Sequence, residues 1–347
     1  MADVWFGVAA LVLSLFVLTD GFDFGAGALL FALGKTKDER GQVHQAIGPF
    51  WDGNEVWLLA FGGCLFVAFP KVLGIALSGF YLPLFMIIWL FIARAMSIEL
   101  RHHAGDLLLV EVLDVGFVAS SVGLPLLLGA ALGNVVRGVP LQEGDFAIPL
   151  FLTADAASPV GVLDAFTLGA GILAVGFCML HGACFVALRT TGHVAQRAKD
   201  WAQRLVPVVF GLWVLGLGLL RTQVPAMWST LLARPAAVLP LVLAAGCLAM
   251  CFWAVRTGRE LQALFGSTGF GFFVLVSIAL CMFPHLLRDW ADRAELALGT
   301  HNGAADPSSL RSAIYWFPVG VLVALGYLAM NLRLHRDRVP SKEAATH

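Results

Sequence analysis

The chain reads as long apolar blocks divided by short polar stretches. With roughly 20 mainly apolar residues needed to cross a bilayer, about nine blocks qualify. They lie near residues 5–33, 51–70, 73–100, 108–133, 162–188, 204–221, 236–256, 268–288 and 312–334. None shows the two-residue alternation of a membrane β-barrel. Backbone in lipid must satisfy its own hydrogen bonds, so each block is predicted as a helix. The expected fold is an all-α polytopic membrane protein of about nine transmembrane helices. It forms one domain over 1–347, arranged as two four-helix bundles (5–133 and 162–288) and a peripheral helix at 312–334.

Composition narrows the class. Of 347 residues, 59% are hydrophobic and 13% charged, against roughly 25% charged in a soluble domain. Mean hydropathy is +0.84. An ordinary soluble enzyme and a disordered chain are both excluded. The net charge of −1 offers no basic surface to nucleic acid. All six cysteines lie in apolar segments without CxxC or a Cys/His metal spacing, and read as small buried hydrophobes. The first block has no basic leader, and Asp20 and Asp23 interrupt it, so a retained helix is expected rather than a cleaved signal.

Basic residues set the orientation. Fifteen of the 22 Lys and Arg fall on one side, which includes the 35–49 and 189–203 segments and the tail. The positive-inside rule assigns that side to the cytoplasm. The N-terminus then lies outside and the C-terminus inside. The outer loops, 134–161 and 289–311, carry turn signals: Gly-Val-Pro at 138–140, Ser-Pro at 158–159, Asn-Gly at 302–303 and Asp-Pro at 306–307. The basic tail after Asn331 is expected at anionic lipid headgroups. DGFDFGAGALL at 20–30 echoes DAFTLGAGIL at 164–173, but Asp20 falls deep in its block and Asp164 at the outer start of another. A true repeat matches in depth, so shared small-residue packing is preferred to duplication.

The chemistry lies in charges inside the membrane. Asp20 and Asp23 share a helix face, roughly 22 and 27 Å below its outer start at 1.5 Å per residue. FWDGNEVW at 50–57 opens the second block with Asp52 and Glu55 again three apart. A carboxylate in lipid is costly and marks an ion path or a paired site. Asp20 and Asp23 either carry protons or pin helices together through Arg94 or a Trp donor. Asp52 either joins them or caps its helix, with Glu55 at the capping-box position. Arg94, Glu99, Glu111 and Asp114 also fall toward the inner ends of the first four helices. Such a coupled set can pass protons inward from the cytoplasm, and Asp20, Asp23 and Asp52 are expected in one polar pocket facing other helices.

Other residues carry weaker signals. Gly21, Gly25, Gly27, Gly62 and Gly63 permit close helix approach. Trp51, Trp57 and Tyr81 read as interface anchors or hydrogen-bond donors. His181 and His285 are the deeper histidines but have no haem-binding motif around them, and Met86, Met96 and Met282 read as packing. Walker, Ser-His-Asp and HExxH patterns are missing from the sequence.

Five stretches carry a family resemblance: TDGFDFGAG at 19–27, IGPFWDGNEVW at 47–57, AFP at 68–70, SGFYLPL at 78–84 and GNVVRGVP at 133–140. Together they resemble subunit II of the cytochrome bd-type quinol oxidases, a group that includes the cyanide-insensitive oxidases. The likeness covers almost the whole chain. It implies a bacterial cytoplasmic-membrane heterodimer with a subunit I, in some members joined by single-helix accessory peptides. That complex oxidises quinol and reduces O2 to water with protons taken from the cytoplasm. The resemblance implies that haem b and haem d, or an all-b set, sit in subunit I with the quinol site, and that this chain ligates neither haem nor metal. Subunit II then supports assembly and haem packing, holds a structural quinone in some members, contacts membrane lipid, and can line a proton route. Asp20 and Asp23 match the acids of the family's first-helix motif. Trp51, Asp52 and Asn54 match the second-helix motif. Some members have His where Phe50 stands and Gln where Glu55 stands. The alternatives are a proton- or cation-coupled secondary transporter and a purely structural scaffold. The first calls for a midplane substrate site and a clear repeat, which this sequence lacks.

The orientation is testable by labelling introduced cysteines in intact cells. Sites in 35–49, 189–203 and 335–347 are expected to be shielded from an impermeant reagent, and sites in 134–161 and 289–311 to react. A shielded 134–161 loop would reverse the assignment.

Overall fold

The computed structural model describes residues 1–142, 146, 148 and 161–341. Its helices in chain order are α1 (Ala2–Ala28), α2 (Leu30–Leu33), α3 (Lys37–Ile47), α4 (Trp51–Ala68), α5 (Pro70–Gly79), α6 (Tyr81–His103) and α7 (Leu107–Arg137). They continue as α8 (Ala165–Arg189), α9 (Gly192–Gln223), α10 (Pro225–Ala233), α11 (Pro235–Arg256), α12 (Glu260–Met282) and α13 (Pro307–Leu334). A two-stranded antiparallel ribbon, β1 (His285–Leu287) with β2 (Leu298–Gly299), lies between α12 and α13. Among the described residues, eight helices are long and apolar enough to cross a membrane, and α4 with α5 makes a bent ninth candidate.

Prolines place the breaks. Phe69 leaves the helical region at φ −136°, ψ 54°, and Pro70 opens α5, which is bent by 119° from α4. A proline has no N–H to continue the preceding ladder but fits the first turn of a new helix. Pro225 and Pro235 open α10 and α11 in the same way. This corrects the block expected at 73–100: residues 70–79 form a separate helix and the span begins at Tyr81. The block expected at 268–288 also shifts. Its helix starts at Glu260 and ends at Met282, and 285–287 form a strand. The 204–221 block extends back to Gly192, where a turn with Gly192 at φ 70° leads into α9.

α1 occupies the centre, packed against α4, α7, α8 and α12. On one side α6 packs on α7; on the other α8, α9, α11 and α12 form a closed set, and α13 lies outside against α4. The tightest crossing is α1 on α8. A Cβ on Gly25 would collide with the Cys178 carbonyl, and one on Gly182 with the backbone of Gly25 and Ala26. Without a hydrophobic drive between helices in lipid, such small-residue contacts supply the close packing that holds them. The apolar core runs through this crossing, from Phe16 and Phe24 to Phe177, Phe185 and Trp213.

The two ends are closed differently. At the end assigned to the cytoplasm, α3 lies across the bundle. Thr36 and Glu39 form its capping box, and Arg197 grips Glu39 at 2.8 Å. Hydrogen bonds from Arg197, with those from the Lys35 and Thr36 amides against a partial burial, hold the Glu39 carboxyl down to about 2. Gln42 donates to the carbonyls of Thr191 (3.1 Å) and Val339 (2.9 Å). The tail is thus docked through Val339 and Ser341 on the α8–α9 turn, with Arg333 and Arg336 exposed before it; Lys342 onward lies outside the described residues. At the other end, Val139 N–H donates to Arg288 O (2.9 Å) and Trp290 N–H to Val139 O (3.1 Å). Gly138, at φ 99°, lets these segments meet, since a Cβ there would lie 2.8 Å from the Asp289 carbonyl. Ser158 and Pro159 lie outside the described residues.

The α1–α8 contact predicts a sharp contrast between two glycine positions. Gly182→Leu is expected to lower the melting temperature markedly, since overpacking costs roughly 1–3 kcal/mol or more. Gly246→Ala, whose added methyl would meet nothing within 4 Å, is expected to be neutral or slightly stabilising. Equal melting of the two variants, measured on purified protein in detergent, would remove the close-approach argument.

Candidate functional site

The sequence puts Asp20 and Asp23 one helical turn apart on α1, and packing buries both completely. α6 brings Arg94, also fully buried, against them. Arg94 Nη2 lies 3.0 Å from Asp20 Oδ1 and 4.0 Å from Asp23 Oδ2, while Nη1 lies 2.6 Å from Glu55 Oε1 on α4. Asn54 Nδ2 donates to Asp23 Oδ2 (2.7 Å) and to the Thr19 carbonyl (3.0 Å). The guanidinium carbon stands 4.6 Å from the Phe24 ring centroid. One cation and one amide therefore tie three helices together through three carboxylates. Glu55 is the outlet of this group: its side chain is 25% exposed, against none for Asp20 and Asp23.

Asp52 does not join them. It is exposed on the surface of the chain, in the first turn of α4. Nor does it cap that helix: the N-cap is Phe50, with no side-chain capping bond, and Glu55 turns to Arg94 instead. The single pocket expected for Asp20, Asp23 and Asp52 is thereby corrected. The peptide geometry explains it. Asp52 and Asn54 are two residues apart on a helix, so when Asn54 faces α1, Asp52 points away. Trp51 is half-buried against the core, Trp57 is buried, and Tyr81 is exposed at the start of α6.

A second ionic group lies about 10 Å along α6, because Arg101 follows Arg94 by two helical turns. Arg101 Nε donates to Asp114 Oδ1 (2.6 Å), and Arg40 Nη1 lies 3.1 Å from Asp114 Oδ2. Arg40 also holds Glu111 with both Nη atoms, at 2.7 and 2.5 Å. His44 Nε2 is 3.3 Å from Asp114 Oδ1, and its ring lies 4.7 Å from that of Phe117. The acids expected at the inner ends thus divide between two sets, and Glu99 is exposed with Asp52. The sequence pattern does not single out Arg40, Arg101 and His44, because a polar connecting segment reads as solvated until α3 is seen to fold back. The spacing of Arg40 and His44, four apart in that segment, is the one signal that sets them on a common face.

A family model described as cytochrome bd terminal oxidase subunit II matches residues 1–335. The chain belongs to that family. Cytochrome bd ubiquinol oxidase subunit 2 of Bacillus subtilis is 31% identical over 351 residues, covering 99% of this chain and 98% of the relative. Cytochrome bd-I ubiquinol oxidase subunit 2 of Escherichia coli K12 is 34% identical over 218 residues, covering 61% of this chain and 56% of the relative. The structure of bd oxidase from Geobacillus thermodenitrificans matches at a TM-score of 0.78 and 17% identity, covering 96% of this chain and 98% of that one, which establishes the shared fold. Membership of a subunit II family places the chain in an oxidoreductase complex and implies a partner subunit I.

The two deeper histidines stand apart, His181 buried within α8 and His285 beyond the helices. His181 is buried, with Nδ1 2.8 Å from Ser267 Oγ and Nε2 2.9 Å from the Leu18 carbonyl, and it stacks on Phe177. Both ring nitrogens are engaged. His285 lies in β1, beyond the end of α12. Among the described residues no three His, Cys, Asp or Glu side chains converge as a metal site. Asp164, the counterpart of Asp20 in the sequence echo, is the N-cap of α8 in a capping box with Thr167, and Arg137 holds it. The two aspartates have unlike roles, so the echo carries no shared site.

The Arg94 cluster predicts strong coupling. Removing one partner of a buried pair costs roughly 3–5 kcal/mol, because the remaining charge is uncompensated. Arg94→Gln is expected to cause such a loss in melting of the purified complex, and Arg94→Gln with Asp20→Asn to recover part of it in a double-mutant cycle. No recovery in the double variant would assign Arg94 to packing rather than charge.

Proposed function

We propose that this chain acts as the subunit II of a terminal quinol:O2 oxidoreductase in a bacterial cytoplasmic membrane. Subunit I carries haem b and haem d, or an all-b set, together with the quinol site. Subunit II supports assembly and haem packing and gives protons access to the complex from the cytoplasmic side. The observation behind the proton role is the path from the buried Asp20–Arg94–Asp23 group through part-exposed Glu55 to the chain surface, where Asp52 stands one turn earlier on the same helix. Three carboxylates share one guanidinium there. Full ionisation in a dry site is costly, so electroneutrality requires protons on the acids or further cations from a neighbour. Groups held that way exchange protons with whatever reaches Glu55.

The same surface supports the partner role. Exposed Asp52 and Glu99 are poorly suited to lipid, and α4 and α6 also expose Leu59, Phe66, Phe85 and Trp89. Large apolar faces with few charges are typical of obligate contacts. In this reading the α4–α6 face turns toward subunit I, and the Arg94 cluster lies just behind it.

Two substitutions separate proton access from structural support. Asp52→Asn and Glu55→Gln are expected to cut quinol oxidase turnover tenfold or more, about 1.4 kcal/mol in the limiting barrier, with haem absorption near normal. Unchanged turnover from pH 6 to 8 in both variants would remove these acids from a proton route. Loss of haem together with turnover would assign them to assembly.

A further inference from the structure

Beyond the bundle, the end assigned to the outside holds a cavity of about 240 Å³ between α10, the end of α12 and the β1–β2 connection. Arg234, His285 and Arg288 line it. Arg234 joins α10 to α11 and is held by the last carbonyls of α12: its Nη1 donates to Leu280 O (2.8 Å) and Phe283 O (2.6 Å). That anchoring leaves Nε and Nη2 without a partner among the described residues. Arg288, largely buried, puts Nη2 2.5 Å from Asp292. The remaining arginine of the wall, Arg293, is neutralised by buried Asp289 through bonds of 2.9 and 2.8 Å. Three arginines thus face two aspartates, before His285 is counted. Burial, and then repulsion from Arg288, Arg234 and His301, makes the His285 ring give up its proton more readily than usual.

We infer that this cavity binds a phosphate-bearing anion, either the phosphodiester of an outer-leaflet phospholipid or free phosphate. Guanidinium forks match phosphate oxygens in geometry as well as charge. The volume is below the roughly 300 Å³ where drug-sized ligand pockets begin, and suits a headgroup. The position agrees: α12 ends at Met282, and half-exposed Phe283 forms an apolar rim where a helix leaves the bilayer. Such a rim favours a lipid chain below and its phosphate inside. The inference stands apart from the proton role, since it concerns the opposite end of the molecule.

The test uses the whole oxidase complex, stripped of lipid in mild detergent. Thermal stability and native mass spectrometry are followed on titration with phosphatidylglycerol and, separately, with inorganic phosphate. The wild type is expected to hold one detergent-resistant phosphatidylglycerol more than Arg288→Gln/His285→Gln, with apparent affinity at least tenfold higher. A phosphate-induced stability shift that the double variant loses, without a lipid difference, would identify the free ion as the source. Ala294→Trp, placed on the exposed lip of the cavity, should block binding with all three cations intact and guards against a misfolded double variant. If both variants bind both probes as the wild type does, the site is overturned.

Discussion

Arg94 is a charge with no exposed surface, preceded on α6 by an apolar run from Leu82 to Ala93, and one half of the molecule is arranged around neutralising it. An isolated guanidinium there would cost several kcal/mol. Asp20 and Glu55 take its two Nη atoms from two other helices, and Phe24 covers its face. Those contacts leave α1, α4 and α6 little freedom to slide or rotate relative to one another, because a single turn of slippage would strand a buried charge. Asn54 adds a neutral link between α4 and α1 and satisfies a backbone carbonyl as well as Asp23. Pairing of this kind contributes specificity of register more than net stability, which suits helices whose apolar surfaces alone have no preferred alignment in lipid.

The small residues make that arrangement reachable. Gly25 and Gly182 bring the α1 and α8 backbones into contact, so α1 is enclosed on one side while its acids face α4 and α6 on the other. The ionic group around Asp114 then meets α3 through Arg40 and His44, with Asp114 buried and Glu111 at its exposed edge, and α3 is itself clamped to α9 by Arg197 and to the tail through Gln42. Polar chemistry therefore occurs in two layers along α6: a deep one around Arg94 and a shallower one around Arg101. Both lie on the side where α4 and α6 carry exposed acids and aromatic residues. The α4–α6 face thereby carries apolar and titratable side chains next to one another.

At the opposite end the buried charge sits at a helix terminus. Arg137 ties the ends of α7 and α8 through Asp164, Asn134 (2.6 Å) and the Gly161 carbonyl (3.0 Å). Gly138 admits the 288–290 segment, and the break at Pro70 turns α5 aside. These are contacts between loops and helix ends, where backbone groups left over from the last turns need partners. The cavity with Arg234 and Arg288 arises in the same way, as arginines recruited to spare carbonyls and acids at a helix terminus.

The membrane class, the helical blocks and the presence of buried acids were legible in the chain, because hydropathy over a bilayer's thickness is a local property and an acid inside such a block has few alternatives. The motifs around Asp20, Asp23 and Asn54 likewise pointed to a polar centre between the first helices. Which acids share a site was not legible. Asp52 and Glu55 are three residues apart, yet one faces outward and the other reaches Arg94, and that choice depends on how α4 is rotated against α1. The role of α3 was hidden for a similar reason: Arg40 and His44 belong to a polar connector, and only its folding back beneath the bundle sets them beside Asp114. Hydropathy therefore determined what must lie in the membrane. Helix rotation, set by glycine contacts and by the need to neutralise Arg94, decided which side chains meet.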